Sequence, residues 1–369
     1  MDFDHSEERM MLVESLGRYL NDRYDFAARD KIANSEDGWS REHWQKFAEL
    51  GIVGVLFDEA SGGFGGTGWD IGAVFSSVGK ALVVEPFLGT LMAGRVLAKT
   101  GQTDLLGEVI GAEKVLAFAH EEPQSRYDLT AIETRAENKG GAWTLSGHKS
   151  VVAQLAAADH VVVSARTGGS GEDGLSLFLL DRKAKGVSIR DFGLIDGGRG
   201  GELELKDAPA TLLGEAGKAF PLIEETVAAG VTALVLEAVA VMDQIKTQTL
   251  EYLRTRKQFG VPIGKFQALQ HRMATVALEI EQARSSTINA AAALDGERLA
   301  RERAVSAAKY TIGRVGTLVA EEAIQMHGGM GLVWELPLSH YAKRLTMIGH
   351  QLGDEDHHLE RYIALGRSA

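Results

Sequence analysis

The sequence contains no cysteine. Disulfides, cysteine-ligated zinc or iron–sulfur centres and thiol nucleophiles are therefore excluded, and a reducing cytoplasm is the expected setting. Positive charge is also scarce: 39 Lys and Arg stand against 51 Asp and Glu, a formal net charge of −12. A nucleic-acid binder usually carries a basic stripe, so no such partner is expected. The stretch Met1-Asp2-Phe3-Asp4-His5-Ser6-Glu7-Glu8 is acidic and polar and does not read as a signal peptide. The longest apolar run, near Val227 to Met242, holds Glu237 and reads as too short to span a bilayer. Internal repeats and low-complexity linkers are missing as well.

What is present is a chain of 369 residues, 45% of them apolar, long enough for two or three packed domains. Hydrophobic periodicity divides it into three zones. Residues 1–112 read as an N-terminal helical domain, with helical spacing over Glu7–Tyr24 and Trp44–Gly51. Within it, Ser61-Gly62-Gly63-Phe64-Gly65-Gly66 could be a phosphate cradle. It lacks a preceding strand and a following Lys-Ser/Thr, so a plain loop is expected.

Residues 113–214 switch to a period of two. Val115–Phe118, Trp143–Leu145, His160–Ser164 and Leu175–Leu180 read as strands, with Asn138-Lys139-Gly140-Gly141 among the turns. No helices alternate with them, which argues against a Rossmann sheet and for an antiparallel, barrel-like β domain. Residues 215–369 return to helical spacing. Val231, Val235, Ala238, Met242 and Ile245 form one buried stripe, and long later helices with short links predict a C-terminal four-helix bundle. The fold class is α+β, with the β domain between two helical ones.

Two segments are candidates for chemistry. The first is Arg254-Thr255-Arg256-Lys257-Gln258-Phe259-Gly260, continuing through Pro262-Ile263-Gly264-Lys265-Phe266-Gln267. Its cations suit a helix C-terminus; a guanidinium aimed at a pyrophosphate is the alternative. The second is Gln325-Met326-His327-Gly328-Gly329-Met330-Gly331. It reads either as a C-terminal cap or as a place where a bulky ligand approaches bare backbone. Asp354-Glu355-Asp356-His357-His358 offers metal-ligand types, but without spaced partners it reads as a helix start, and no metal is expected. His120, His148 and His271 read as ordinary polar residues.

Together these segments resemble the acyl-CoA dehydrogenase family, and the helix–β–helix order matches it over essentially the whole chain. Glu122-Pro123 stands where the family has its Glu-Pro turn over the flavin. Ser125–Asp128, Arg344–Ile348 and Gly353–Leu359 look like the small subunit of pimeloyl-CoA dehydrogenase. The resemblance implies FAD at a subunit interface of a homo- or heterotetramer, an acyl-CoA substrate from fatty acid or steroid degradation, and electron-transfer flavoprotein as acceptor. It implies that Arg256, Phe259, Gln325, Gly328 and Gly329 contact the pyrophosphate and adenosine half of FAD, with Asp356 and His358 near the adenine.

The departures are specific. The family's flavin-facing Lys-x-Trp-Ile-Thr reads Lys149-Ser150-Val151-Val152-Ala153-Gln154 here. Its Gly-Ser-Asp after Glu-Pro is Arg126-Tyr127-Asp128, and its Asp-x-x-Arg pair near the thioester aligns with Ala228 and Val231. The reaction needs a carboxylate to remove the α-proton. The family's usual Glu aligns with Asp354, its alternative position is Gly230, and Glu237 is a second candidate. Two functions follow: a complete dehydrogenase, or a catalytically degenerate subunit that completes the FAD site of a partner.

Overall fold

The computed structural model describes residues 6–367. Residues 1–5, part of the acidic stretch read above, lie outside the described residues. The helices before the β region are α1 (Glu7–Arg23), α2 (Phe26–Ala33), α3 (Arg41–Glu49), α4 (Gly68–Ala81), α5 (Phe87–Lys99) and α6 (Thr103–Ile110). Seven strands follow: β1 (Leu116–Ala119), β2 (Arg135–Lys139), β3 (Ala142–Ala153), β4 (His160–Arg166), β5 (Leu175–Asp181), β6 (Val187–Gly193) and β7 (Arg199–Leu213). Then come α7 (Phe220–Thr255), β8 (Lys257–Gln258), β9 (Val261–Pro262), α8 (Gln267–Ala293), α9 (Arg298–His327), α10 (Pro337–His350) and α11 (Glu355–Arg367). Packing gathers them into two compact units. Among the described residues, one combines those up to Arg29, Ile71–Val83 and those from Val231 on; the other combines Asp30–Asp70 and Val84–Gly230.

The second unit holds the β region. Strands β4, β2, β3, β7 and β5 are linked in that order, and β5 pairs back onto β4, so the sheet closes. The barrel is antiparallel except at β4, which runs parallel to β1 along His160–Val163 and to β2 at Arg166. Inward residues such as Leu145, Val161, Val163, Phe178, Leu180 and Leu203 fill it. Hairpin β2–β3 turns through Gly140-Gly141, both at positive φ (68° and 93°), as two-residue hairpins favour. The α3 helix, capped by Ser40, buries Trp44 and Phe47 against Phe87. In the Gly-rich run, the amides of Gly62, Gly63, Phe64, Gly65 and Gly66 all bond to main-chain carbonyls of Gly54–Glu59. A side chain at Gly63 or Gly65 would collide with the carbonyls of Phe57 and Val55. These glycines serve close packing, and no amide is left to cradle a phosphate.

The first unit is helical. Helix α9 packs along α8, α10 and α11. Helix α7 joins α8 through Asp243–Arg284, α9 through Tyr252–His327 and α10 through Glu237–Arg344. Thus α7 to α10 supply the four-helix bundle, with α11 beside α9. The apolar run that read as too short lies in a 36-residue helix, and by length and composition that helix could cross a membrane. Yet 83% of its most apolar window is buried inside the protein. The predicted stripe is buried, and so are Leu234, Val239, Ala240 and Val241 between its members. A helix apolar on every face is a core helix.

Candidate functional site

The end of α7 carries Arg254, and the chain leaves it through Arg256 into the β8–β9 hairpin. Phe259 and Gly260 form the two-residue turn, both at positive φ (52° and 80°). Such a φ is uncommon for a bulky residue. The turn holds the Phe259 ring out, 90% exposed, edge-on to Phe266. The hairpin is anchored by the Ile263 N–H donating to the Arg256 carbonyl at 2.8 Å. Gly264 adds to this, because a Cβ there would stand 2.8 Å from the Leu253 carbonyl oxygen. The side chains of Arg254, Arg256, Lys257 and Lys265 are exposed, and none has an anionic partner among the described residues. Helix capping accounts for one or two cations at such an end. It does not account for a cluster of unpaired cations around an exposed ring.

The end of α9 separates the roles of its glycines. Gly328 adopts φ 60°, ψ −144°, a region nearly restricted to glycine, and its N–H bonds to the Gln325 carbonyl. Gly331 packs where a Cβ would stand 3.0 Å from the Ile324 carbonyl oxygen. Gly329 has neither reason: its φ is ordinary and a Cβ there would meet nothing within 4 Å. Its bare backbone faces open space beside the exposed Gln325. Rings of Tyr252 and His327 stack at 4.2 Å and bring the two helix ends together. The structure thus gathers Arg256, Phe259, Gln325, Gly328 and Gly329 at one end of the bundle. Unpaired cations, an exposed aromatic ring and a glycine with open space are chemistry that suits a dinucleotide pyrophosphate.

The carboxylate candidates are otherwise engaged. Glu237, considered above as a base, is 2% exposed, and both its oxygens accept from Arg344, at 2.6 and 2.7 Å. Such a bidentate pair with arginine fixes the carboxylate in place. Asp354 follows Gly353 and accepts the His357 N–H at 2.9 Å, which makes it the N-terminal cap of α11. The loop before it is pinned from α9 by the buried Lys309, whose ammonium donates to the carbonyls of Gly349 and Gly353. Asp356 is exposed on the first turn of α11. His358, expected near an adenine, is 4% exposed, and its Nε2 bonds the Leu352 carbonyl at 2.9 Å. Burial, then the nearby Lys309 charge, lowers its pKa to about 3. It holds the loop.

In the barrel the structure shows a buried network that reading His120 as an ordinary polar residue missed. Lys149 is fully buried. Its ammonium donates to Glu122 Oε1 at 2.7 Å, the His120 carbonyl at 3.0 Å and Ser164 Oγ at 3.1 Å. Glu122 also accepts the main-chain N–H groups of Glu133 and Thr134 at 2.7 and 3.0 Å. Burial alone would raise its carboxyl; Lys149 and these hydrogen bonds outweigh that and hold it at about 2. Ser164 Oγ lies 2.9 Å from His120 Nδ1. Strand alternation was the available signal: counting by two from the inward Leu145 puts Lys149 on the inner face.

Next to this network lie residues 150–153, where the chain departs from the family's Lys-x-Trp-Ile-Thr pattern. The β3–β7 register shifts between Lys149 and Val152, and Val151 sits in the shift at φ 51° and 51% exposed. The Ser150 N–H bonds the Glu121 carbonyl at 2.9 Å, joining this bulge to the Glu122-Pro123 turn. Arg126 and Tyr127 follow at φ 44° and 70°. Strained backbone of this kind concentrates at functional or formerly constrained surfaces.

Comparisons with known proteins cover the whole architecture. Residues 6–127, 117–208 and 217–362 match the N-terminal, middle and C-terminal domains of acyl-CoA dehydrogenases. The 3-(aryl)acrylate reductase of Clostridium sporogenes is 27% identical, over 92% of this chain and 94% of its own. Glutaryl-CoA dehydrogenase of Desulfococcus multivorans is 27% identical over 92% of each chain. Among solved structures, a variant of the Tcur3481-Tcur3483 steroid ACAD is 30% identical with a TM-score of 0.89, covering 98% of this chain and 99% of that one. The ChsE4-ChsE5 complex from Mycobacterium tuberculosis has the same fold, with a TM-score of 0.90, 23% identity and full coverage of both chains.

Proposed function

The chain belongs to the acyl-CoA dehydrogenase family, and on that premise we propose that it acts as one subunit of a heteromeric enzyme, presenting Arg256 and the Gly328-Gly329 turn to FAD held mainly by its partner. The reaction is α,β-dehydrogenation of an acyl-CoA thioester. FAD, when bound, supplies the hydride acceptor. This chain's contribution is to bind and orient. Arg256 offers a planar, bidentate contact to a pyrophosphate. Gly329 leaves room for close approach, and Phe259 gives an apolar surface for the adenosine half.

The observation that carries the reading is a contrast. The cations at the α7 end are unpaired, while Glu237 is clamped by Arg344 and Asp354 caps α11. The cofactor-facing end is ready, and both candidate bases in this chain already have structural tasks. The two-protein name of the Tcur3481-Tcur3483 steroid ACAD supports a paired assembly, and the resemblance of Gly353–Leu359 to a pimeloyl-CoA dehydrogenase small subunit points the same way. A tetramer working in the cytoplasm and passing electrons to electron-transfer flavoprotein completes the proposal. Dicarboxyl, steroid-derived and aromatic acyl groups all fit it, since pocket shape decides among them.

The direct test is Arg256→Ala in the assembled protein, followed by FAD-to-protein ratio after gel filtration. The proposal expects loss of FAD with an unchanged thermal midpoint of the cofactor-free chain. Full FAD retention would contradict it.

A further inference from the structure

We infer that Tyr252 and His327 are positioning residues: their stacked rings form a clasp that fixes the α7 arm against the α9 turn, and so sets the spacing at which Arg256 and Gly328-Gly329 meet a dinucleotide pyrophosphate. The inference rests on the reading that this end of the bundle meets FAD.

Helix termini are where main-chain hydrogen bonding runs out and fraying begins. Here two termini, 75 residues apart at Tyr252 and His327, have to hold one ligand between them. A binding constellation needs its parts held within about 0.5 Å by locked supporting residues. The clasp supplies that lock on both sides. On the α9 side, the Tyr252 hydroxyl donates to the His327 carbonyl at 3.3 Å, and that carbonyl immediately precedes Gly328. The rings lie 4.2 Å apart and 24° from parallel, and His327 is 5% exposed. His327 Nδ1 donates to the Ala323 carbonyl at 2.8 Å, one turn back, which fixes both the tautomer and the ring plane. Burial lowers the pKa of this imidazole, so the stacked partner is neutral near pH 7. On the α7 side, the Tyr252 carbonyl accepts the Arg256 N–H at 2.8 Å. One residue therefore grips the main chain on each side of the proposed site.

The test uses the assembled, FAD-loaded protein carrying Tyr252→Leu or Tyr252→Phe. The FAD dissociation constant is measured by flavin fluorescence, and the thermal midpoint is recorded on the same samples. Tyr252→Leu is expected to weaken FAD roughly tenfold, the order that lost supporting contacts cost a binding site. Tyr252→Phe, which keeps the stacked ring, is expected to restore most of the affinity; a purely structural residue would show no such rescue in affinity at unchanged midpoint. Wild-type affinity in Tyr252→Leu overturns the inference, and so does an equal loss in both variants. Should Tyr252→Leu fail to fold, Tyr252→Met takes its place with the same expected and overturning results. Arg256→Ala, run in parallel, separates the two claims. If Arg256→Ala loses FAD while Tyr252→Leu keeps it, the clasp alone is wrong. If both keep FAD, the site reading itself is wrong and the clasp falls with it.

Discussion

Lys149 and Glu122 form an ion pair that neither solvent nor a neighbouring strand could replace, because both groups are buried in the barrel. Removing one partner leaves the other charge uncompensated, which costs about 3–5 kcal/mol for buried pairs. Lys149→Met is therefore expected to lower unfolding free energy by that order in urea titrations, whereas Arg190→Ala, in an exposed pair with Glu202, should leave it nearly unchanged. Comparable losses in the two variants would contradict the account. The histidines add a pH dependence. Burial first, and then the positive charge of Lys149 or Lys309, lowers His120 and His358 to about 3 each. In the unfolded chain they would titrate near the ordinary value of about 6.5. Below that pH the unfolded state takes up protons that the folded state refuses, so stability is present above about 6.5 and is lost progressively toward 3. The thermal midpoint should fall steadily from pH 7 to pH 4, and His358→Gln should flatten part of that fall; a midpoint constant over the range would refute the assignment. At this scale sequence legibility was uneven. Arg256 and Phe259 could be singled out because their setting is local, a helix end and a two-residue turn. The fates of Glu237 and His358 could not, because a partner 107 residues away holds the first and burial in the folded chain decides the second.

Among elements, the α9 turn gives the sharpest contrast, because adjacent glycines there do different things. Gly328 is held where an L-residue costs about 1–3 kcal/mol. Gly328→Ala should lower the thermal midpoint of the chain even without cofactor. Gly329→Ala should leave that midpoint unchanged, since its Cβ enters open space, and yet reduce FAD retention in the assembly. Equal behaviour of the two variants would remove the case for Gly329 as a contact. Helices and apolar strands were legible from period alone, as α1, α3, α7 and β4 show. Strand β2 was not. Arg-Ala-Glu-Asn-Lys in β2 has almost no apolar face, and pairing with β3 is what makes it a strand, whereas Glu-Leu-Glu-Leu-Lys within β7 alternates with the period of a half-exposed strand and could have been read. The apolar run near Val227 to Met242 read as short because Glu237 breaks it in sequence, while Arg344 pairs with Glu237 in the fold.

For the whole molecule, the account turns on incompleteness. The chain has the full architecture of its family, from the N-terminal to the C-terminal domain match. It keeps unpaired cations and an exposed ring at one end of its bundle. It lacks the family's aromatic ring and hydroxyl at Val151 and Ala153, and its two candidate carboxylates are tied down. Loss of a general base typically lowers rate about 10²–10⁴-fold. A partner subunit that brings its own base and flavin face makes these features consistent with one another. The most direct measurement is FAD content and dye-linked acyl-CoA dehydrogenase activity, taken on the chain purified alone and again after co-expression with a second acyl-CoA dehydrogenase-like subunit. The account predicts little bound FAD and a rate lower by about 10²-fold or more for the chain alone, with both restored in the co-expressed complex and lost again in Arg256→Ala. One FAD per chain in the homomeric protein, turning over at an ordinary rate that Asp354→Ala abolishes, would contradict it.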